Sequence, residues 1–176
     1  MRKANCFCIC VFTILLNSFD CFSQGSEVTY NSVTREISQE MTVITGRSKD
    51  KTFGLIRSFL AKEYKSYKQT TILEDMSLGQ IVFPVTEPIR TGRFTSFKFT
   101  ATIDIKDDKY RCTIDHIKVL EKGSLAYQTF DFGRAMTENN SSLQTEYLKT
   151  QEIMSFKFST LQSGIRDAVV PINDFR

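Results

Sequence analysis

Residues 93–120 constrain the fold most, because they have the pattern of a β-hairpin. Apolar and polar residues alternate through the first arm, and side chains on a strand point to opposite faces in turn. Residues 106–109 form a polar turn, and residues 110–120 return with β-forming side chains. The hairpin therefore predicts one apolar and one polar sheet face. The apolar set is Phe97, Phe99, Ala101, Ile103 and Ile105, and the polar set is Ser96, Lys98, Thr100, Thr102 and Asp104.

The second arm of the hairpin changes phase near Asp115 and His116. Apolar residues before this point occupy one face, whereas those after it fall on the other face. A β-bulge, a local twist or burial on both faces would each account for the change. The first group is Tyr110, Cys112 and Ile114, and the second is Ile117 and Val119.

The rest of the chain predicts an α+β domain. An antiparallel sheet of about five strands has two helices packed on one of its faces. We expect a loose segment at 25–33, and a long connection at 121–138 that packs aromatic side chains. Pro84 indicates that its strand either lies at an edge of the sheet or ends at this residue. The predicted strands are 36–45, 70–75, 80–85 and the two hairpin arms. One helix is predicted at 49–64, with Ser48 as its N-cap. The other is predicted at about 141–170, with a possible break near Ser155.

The first 23 residues have the pattern of a secretory signal peptide. Arg2 and Lys3 precede an apolar run at 6–16, which is too short to cross a bilayer as a helix. Cys21 and Ser23 then occupy the positions that a signal peptidase recognises, so Gln24 would begin a single domain of residues 24–176. Asp20 argues against lipid anchoring at Cys21. An exported protein without a transmembrane segment in its mature chain is predicted.

Cysteine usage follows from this leader. Four cysteines lie in residues 1–23, and Cys112 is the fifth. A single thiol allows no intramolecular disulfide, so the exported fold must depend on packing. Cys112 lies within a predicted strand, where a buried thiol that acts as a small hydrophobe is the favoured interpretation.

Three short motifs resemble a bacterial envelope family that is described as a domain of unknown function with a TBP-like fold. They are Gly46-Arg47-Ser48-Lys49-Asp50, Glu74-Asp75 with Gly79, and Lys106-Asp107-Asp108-Lys109-Tyr110-Arg111. The resemblance covers about residues 33–120 and implies the sheet-and-helix form of the TATA-binding protein. It supplies no catalytic residue, and the fold name by itself does not imply DNA binding.

No convergent set of reactive groups is evident in the sequence. His116 is the only histidine, and beside Asp115 it does not make a metal cluster. The pairs Glu74-Asp75 and Asp107-Asp108 could serve acid chemistry only if they faced each other across a cleft. We therefore predict no catalytic residues, no cofactor and no metal. Lys98, Arg111 and Lys118 are better explained by a solvated sheet face than by nucleic-acid binding, and Asn139-Asn140-Ser141-Ser142 holds two glycosylation-type triplets.

Three functions remain open at this point. The first is a non-catalytic exported domain that binds an unknown protein or small ligand in the periplasm or envelope, through the sheet face or the long connection. The second is a small hydrolase or transferase that uses acids such as Glu74 and Asp107. The third is an envelope component that self-assembles through a sheet edge into a homo-oligomer.

Overall fold

A computed structural model describes residues 26–33 and 36–170. The predicted leader, the candidate anchor at Cys21 and the predicted helix stop at Pro171 lie outside these residues. Within them, seven strands form one sheet, accompanied by four helices. In chain order the elements are β1 (Ser26–Asn31), β2 (Glu36–Ile44), α1 (Lys49–Glu63), α2 (Tyr67–Thr70), β3 (Leu73–Asp75), β4 (Gln80–Pro88), β5 (Phe94–Lys106), β6 (Lys109–Glu121), β7 (Tyr127–Thr129), α3 (Arg134–Thr137) and α4 (Ser141–Val169).

The sheet is antiparallel, with the strand order β1-β2-β6-β5-β4-β3, and β7 pairs with β6 beside β2. The predicted hairpin forms its centre as β5 and β6, joined by a two-residue turn at Asp107 and Asp108. Asp108 has a φ of 64°, a left-handed conformation that Asp tolerates better than most residues. The predicted α+β architecture is confirmed.

Both long helices pack on the apolar face of the sheet. The apolar residues of β5 are at most 2% exposed. Phe158 of α4 makes edge-to-face contacts with Phe97 and Phe99, at ring-centroid distances of 6.0 and 5.0 Å. Tyr64, which follows α1, contacts Phe83 of β4 in the same way at 5.8 Å. These large aromatic side chains contribute much of the apolar surface area that the core buries. Burial of apolar surface stabilises the fold by about 25 cal/mol for each Å² removed from water.

The phase change in the second hairpin arm is a β-bulge. Thr100 pairs with Asp115, whereas Lys98 pairs with Lys118, so β6 has an extra residue at this point. His116 adopts a φ of 50°, which takes up the extra length. The bulge returns Ile117 and Val119 to the buried face, where they are 2% and 3% exposed.

Several predicted elements differ from the structure. Much of the predicted loose segment 25–33 is strand β1, and the predicted strand 70–75 is shortened to β3, with α2 before it. The connection at 121–138 contains β7 and α3, and it buries Phe130 and Phe132 as expected. Strands β1 and β7 raise the strand count above five because pairing with β2 and β6 orders polar segments that have weak patterns of their own.

Helix α4 is continuous, so the possible break near Ser155 is absent. Phe156 is 69% exposed whereas Phe158 is buried, as expected for neighbouring positions on different sides of a helix rather than on a strand. Asn140 caps the N-terminus, because its Oδ1 accepts hydrogen bonds from the backbone N–H groups of Ser142 and Leu143.

Candidate binding surface

The face of the sheet opposite the helices is open among the described residues. It carries the side chains of β2, β4, β5 and β6 that alternate with the buried ones, and in β5 these are half-buried or exposed. Thr102 and Thr113 are cross-strand partners near its middle. We refer to this surface as the open face. The polar set predicted from the sequence lies on it, namely Ser96, Lys98, Thr100, Thr102 and Asp104.

Arg111 pairs with two carboxylates at one end of the open face. Asp104 accepts a hydrogen bond from Gln80 Nε2 at 2.7 Å and another from Arg111 Nη2 at 3.1 Å. Arg111 Nη1 also lies 3.8 Å from Glu40 Oε2. Asp104 holds the pKa of Arg111 above its ordinary value through this hydrogen bond, with Glu40 adding to the effect. These groups form a network of one guanidinium, two carboxylates and one amide that links β2, β4, β5 and β6.

Two lysines lie together at the other end of the open face. Lys98 of β5 and Lys118 of β6 are directly opposite each other, and neither forms an ion pair with a described residue. Like charges in this arrangement are destabilising. Lys98 Nζ lies 4.4 Å from the ring centroid of Tyr127, whose hydroxyl is 2.9 Å from Ser96 Oγ. The lysine pair therefore leaves uncompensated positive charge beside hydroxyl groups.

The bulge brings Asp115 and His116 into contact. Neighbouring side chains on a regular strand point to opposite faces, but the left-handed backbone at His116 redirects its ring toward Asp115. His116 Nδ1 lies 2.6 Å from Asp115 Oδ1, but the histidine side chain is 72% exposed. The other ring nitrogen has no hydrogen bond to a described residue. Among the described residues, no hydroxyl or thiol makes a hydrogen bond to this ring, so the pair lacks the third member of a hydrolytic triad there.

The three motifs that carry the family resemblance meet at one corner of the fold. Asp107 Oδ1 accepts the backbone N–H of Lys49 at 2.8 Å, which caps the N-terminus of α1. Ser48 was predicted to provide this cap, but its side chain makes no capping bond. Asp108 N–H donates to Arg47 O at 2.9 Å, and Arg47 Nε donates to Val169 O at the end of α4. This segment therefore ties together the hairpin turn, the start of α1 and the end of α4.

Gly79 belongs to the same corner. Its carbonyl accepts the backbone N–H of Ile105 at 2.6 Å, and the neighbouring Ser77 carbonyl accepts Lys49 Nζ at 3.1 Å. Asp75 closes the turn by accepting hydrogen bonds from Ser77 Oγ and Leu78 N, which hold the pKa of its carboxyl below the ordinary value. These motif residues therefore maintain the backbone geometry of this corner.

Glu74 is also engaged by its neighbours. Its carboxylate accepts a hydrogen bond from Tyr67 Oη at 2.9 Å and forms an ion pair with Arg57. Asp107 caps α1. Glu74 and Asp107, which the hydrolase hypothesis would use together, therefore contact different residues.

Among the described residues, no three His, Cys, Asp or Glu side chains lie close enough to bind a metal ion. Helices long and apolar enough to span a bilayer are likewise absent from residues 26–33 and 36–170.

The site contains features that the sequence did not reveal. The predicted residues Lys98, Arg111 and Lys118 share the open face, but Arg111 is neutralised and the two lysines are not. The contact between Lys98 and Tyr127 depends on β7, which the sequence did not predict. The alternation of apolar and polar residues in β5, together with a bulge in β6, could have indicated that Lys98 and Lys118 are cross-strand neighbours.

An antiparallel sheet with helices on one face defines the class of α+β proteins with a TBP-like fold. Two crystal structures are similar to this chain: a TBP-like protein from Parabacteroides distasonis (TM-score 0.53, 13% identity, 76% of this chain and 94% of that chain covered) and a DUF4468 family protein from Bacteroides ovatus (TM-score 0.57, 9% identity, 84% and 93% covered). At these identities the likeness establishes the fold.

Sequence comparison gives the same result. Residues 39–119 match the model of DUF4468, a domain of unknown function with a TBP-like fold. The resemblance drawn from the three motifs is confirmed, and the matched segment lies within the expected residues 33–120. No curated protein sequence matches the chain.

Proposed function

We propose that this protein is an exported, non-catalytic binding domain of the bacterial envelope that holds an acidic protein partner against the open face. The carrying observation is the pair Lys98 and Lys118 on a sheet surface that no described helix covers. At the other end of the surface Arg111 is paired with Asp104 and Glu40, whereas Lys98 and Lys118 have no ion pair with a described residue. Complementary charge on a partner would relieve the repulsion between the two ammonium groups.

Export is supported by the sequence of residues 1–23, with its basic start, short apolar run and small residues at the cleavage positions. The bacterial setting is supported by the similar structures from Parabacteroides and Bacteroides. A domain clipped at Gln24 would keep the whole sheet and both long helices.

The absence of catalysis is supported by what the candidate groups do. Glu74 is paired with Arg57 and Tyr67, and Asp107 caps α1. The thiol of Cys112 is fully buried, and burial raises its pKa to about 12, so it is not a nucleophile at neutral pH.

The test compares two charge-reversed variants of the mature chain in binding to an envelope extract of the producing bacterium. Lys98→Glu/Lys118→Glu alters the open face, whereas Lys62→Glu/Lys149→Glu alters exposed positions on the helices by the same net charge. We expect the proteins that wild type retains to be lost by the first variant and kept by the second. Equal retention by both variants, or equal loss, would overturn the proposal.

A further inference from the structure

A groove lies between α1, α2 and β3, beside the edge of the sheet and away from the lysine pair. Its volume is about 610 Å³. The side chains that line it come from three elements that are separate in the sequence, so the site exists only in the folded chain. The polar ones are Arg57, Ser58, Tyr67, Lys68, Thr71 and Glu74.

A chain of contacts from the core fixes one arginine in this groove. Tyr67 is 2% exposed, and its ring packs edge-to-face on Phe83 at 5.7 Å. Its hydroxyl donates to Glu74 Oε2 at 2.9 Å, and Glu74 Oε1 forms an ion pair with Arg57 Nε. Burial, together with the hydrogen bond to Glu74, raises the pKa of Tyr67, so the hydroxyl remains a donor at neutral pH. The carboxylate that pairs with the guanidinium is therefore positioned by a buried anchor.

The far side of that guanidinium is available to a ligand. The ion pair with Glu74 is closest at Nε, and Arg57 has no hydrogen bond or ion pair with any other described residue. Arg57 is half exposed, so these donors reach solvent in the groove. Lys68 adds a second positive charge to the lining, which leaves the groove one positive charge in excess of Glu74.

The geometry points to a binding site for an oxyanion group of a small ligand, a carboxylate or a phosphate, at the terminal nitrogens of Arg57. A planar guanidinium with two parallel N–H donors matches two oxygens of such a group, and a fixed orientation reduces the entropy lost on binding. Lys68 contributes charge, and Glu74 and Tyr67 are positioning residues. This site does not depend on the proposed function, because it lies off the open face.

The test is a titration of the ¹⁵N-labelled mature chain with inorganic phosphate and, in a separate arm, with acetate. We expect shifts of the Arg57 Nε–H signal and of amides in α1, α2 and β3. The anion that binds more tightly identifies the ligand class. Arg57→Gln should weaken binding by about tenfold, the effect of losing a charge-assisted pair of hydrogen bonds. Lys62→Gln, an exposed lysine on α1 outside the groove lining, should change it less than about twofold.

Tyr67→Phe tests the anchor, since it removes only the hydroxyl. We expect the Arg57 Nε–H proton to exchange faster with water and the binding of phosphate to weaken by about threefold. A purely structural role for Tyr67 would change the urea midpoint without changing either readout. The inference is overturned if Arg57→Gln and Lys62→Gln weaken binding equally, if neither anion shifts the groove signals, or if Tyr67→Phe leaves both readouts unchanged.

Discussion

At the scale of single residues, Gly79 shows how closely the corner of the fold is packed. It has a φ of 69°, and a Cβ built there would lie 2.2 Å from the carbonyl oxygen of Ile105. That oxygen belongs to the backbone of the central strand β5, so it cannot turn aside as a side chain would. The position therefore excludes every side chain on both conformational and steric grounds.

We predict that Gly79→Ala lowers the free energy of unfolding by about 3 kcal/mol, through backbone strain and the shift of Ile105. Gly54→Ala is the matched control, because Gly54 lies in α1 with nothing within 4 Å of the added Cβ. That substitution should stabilise the domain by about 0.5–1 kcal/mol, since alanine has the higher helix propensity. Urea unfolding measures both. Equal effects of the two substitutions would contradict the described packing at Gly79.

Buried acids predict the response to alkaline pH. Burial raises the pKa of the Cys112 thiol from 9.0 to about 12, and burial, with a smaller effect of Glu87, raises that of Tyr64 from 10.0 to about 12. The unfolded chain ionises these groups at their ordinary values, so unfolding releases protons at high pH. The contribution of the neutral Cys112 thiol to the free energy of unfolding is complete below about pH 9 and is lost as the pH rises toward about 12. The contribution of the neutral Tyr64 hydroxyl is lost above about pH 10.

The urea midpoint should therefore be constant up to about pH 9 and then fall steadily. In Cys112→Ala the fall should begin about one pH unit later, because only the tyrosines remain to ionise. Urea unfolding between about pH 8 and about pH 11 checks both curves. A midpoint that does not change over this range would show that these groups are not buried.

At the scale of elements, the start of α1 depends on a residue from a distant turn. The sequence indicates a helix beginning near residue 49, and it does begin at Lys49. Local reasoning chose Ser48 as the cap because serine is common there, but Asp107 accepts the Lys49 N–H from the hairpin turn. A contact that spans 58 residues has no local signal, so only the folded chain reveals it.

Asp107→Ala should lower the free energy of unfolding by about 1 kcal/mol, the usual effect of losing a helix cap. Asp107→Asn should cost less, because its side-chain oxygen still accepts the hydrogen bond. Urea unfolding of both variants, together with the amide exchange rate of Lys49, checks this. The prediction fails if the two substitutions have the same effect or if the Lys49 amide is equally protected in both.

The same difference between local and distant signals explains which strands could be predicted. Alternation identifies β2, β4, β5 and β6, because each buries one face under the helices and so must alternate. Strands β1 and β7 have no such constraint: Thr29 and Tyr30 are both exposed, as are Gln128 and Thr129. Their backbone pairing with β2 and β6 makes them strands. The Lys98–Tyr127 contact on the open face depends on β7, so it could not be predicted either.

At the scale of the whole molecule, the domain has two unlike sheet faces. Phe97, Phe99 and Ile103 lie beneath the helices, as their alternation predicts, while Lys98 and Thr102 lie on the other face. The helices stabilise the sheet from one side and leave the other side to carry paired charges and hydroxyls. Under the proposed function this division separates stability from recognition, so substitutions on the open face should alter binding more than folding.

Thiol labelling of Thr102→Cys in a Cys112→Ala mature chain tests this division directly, with Ala101→Cys and Lys62→Cys as the buried and helix-surface references. In the isolated domain, Cys at the half-buried position 102 should react more slowly than Cys at 62 but far faster than Cys at 101. Envelope extract should slow labelling at 102 and leave labelling at 62 unchanged. A slow reaction at 102 in the isolated domain, or a rate there that extract does not alter, would contradict an open face that binds a partner.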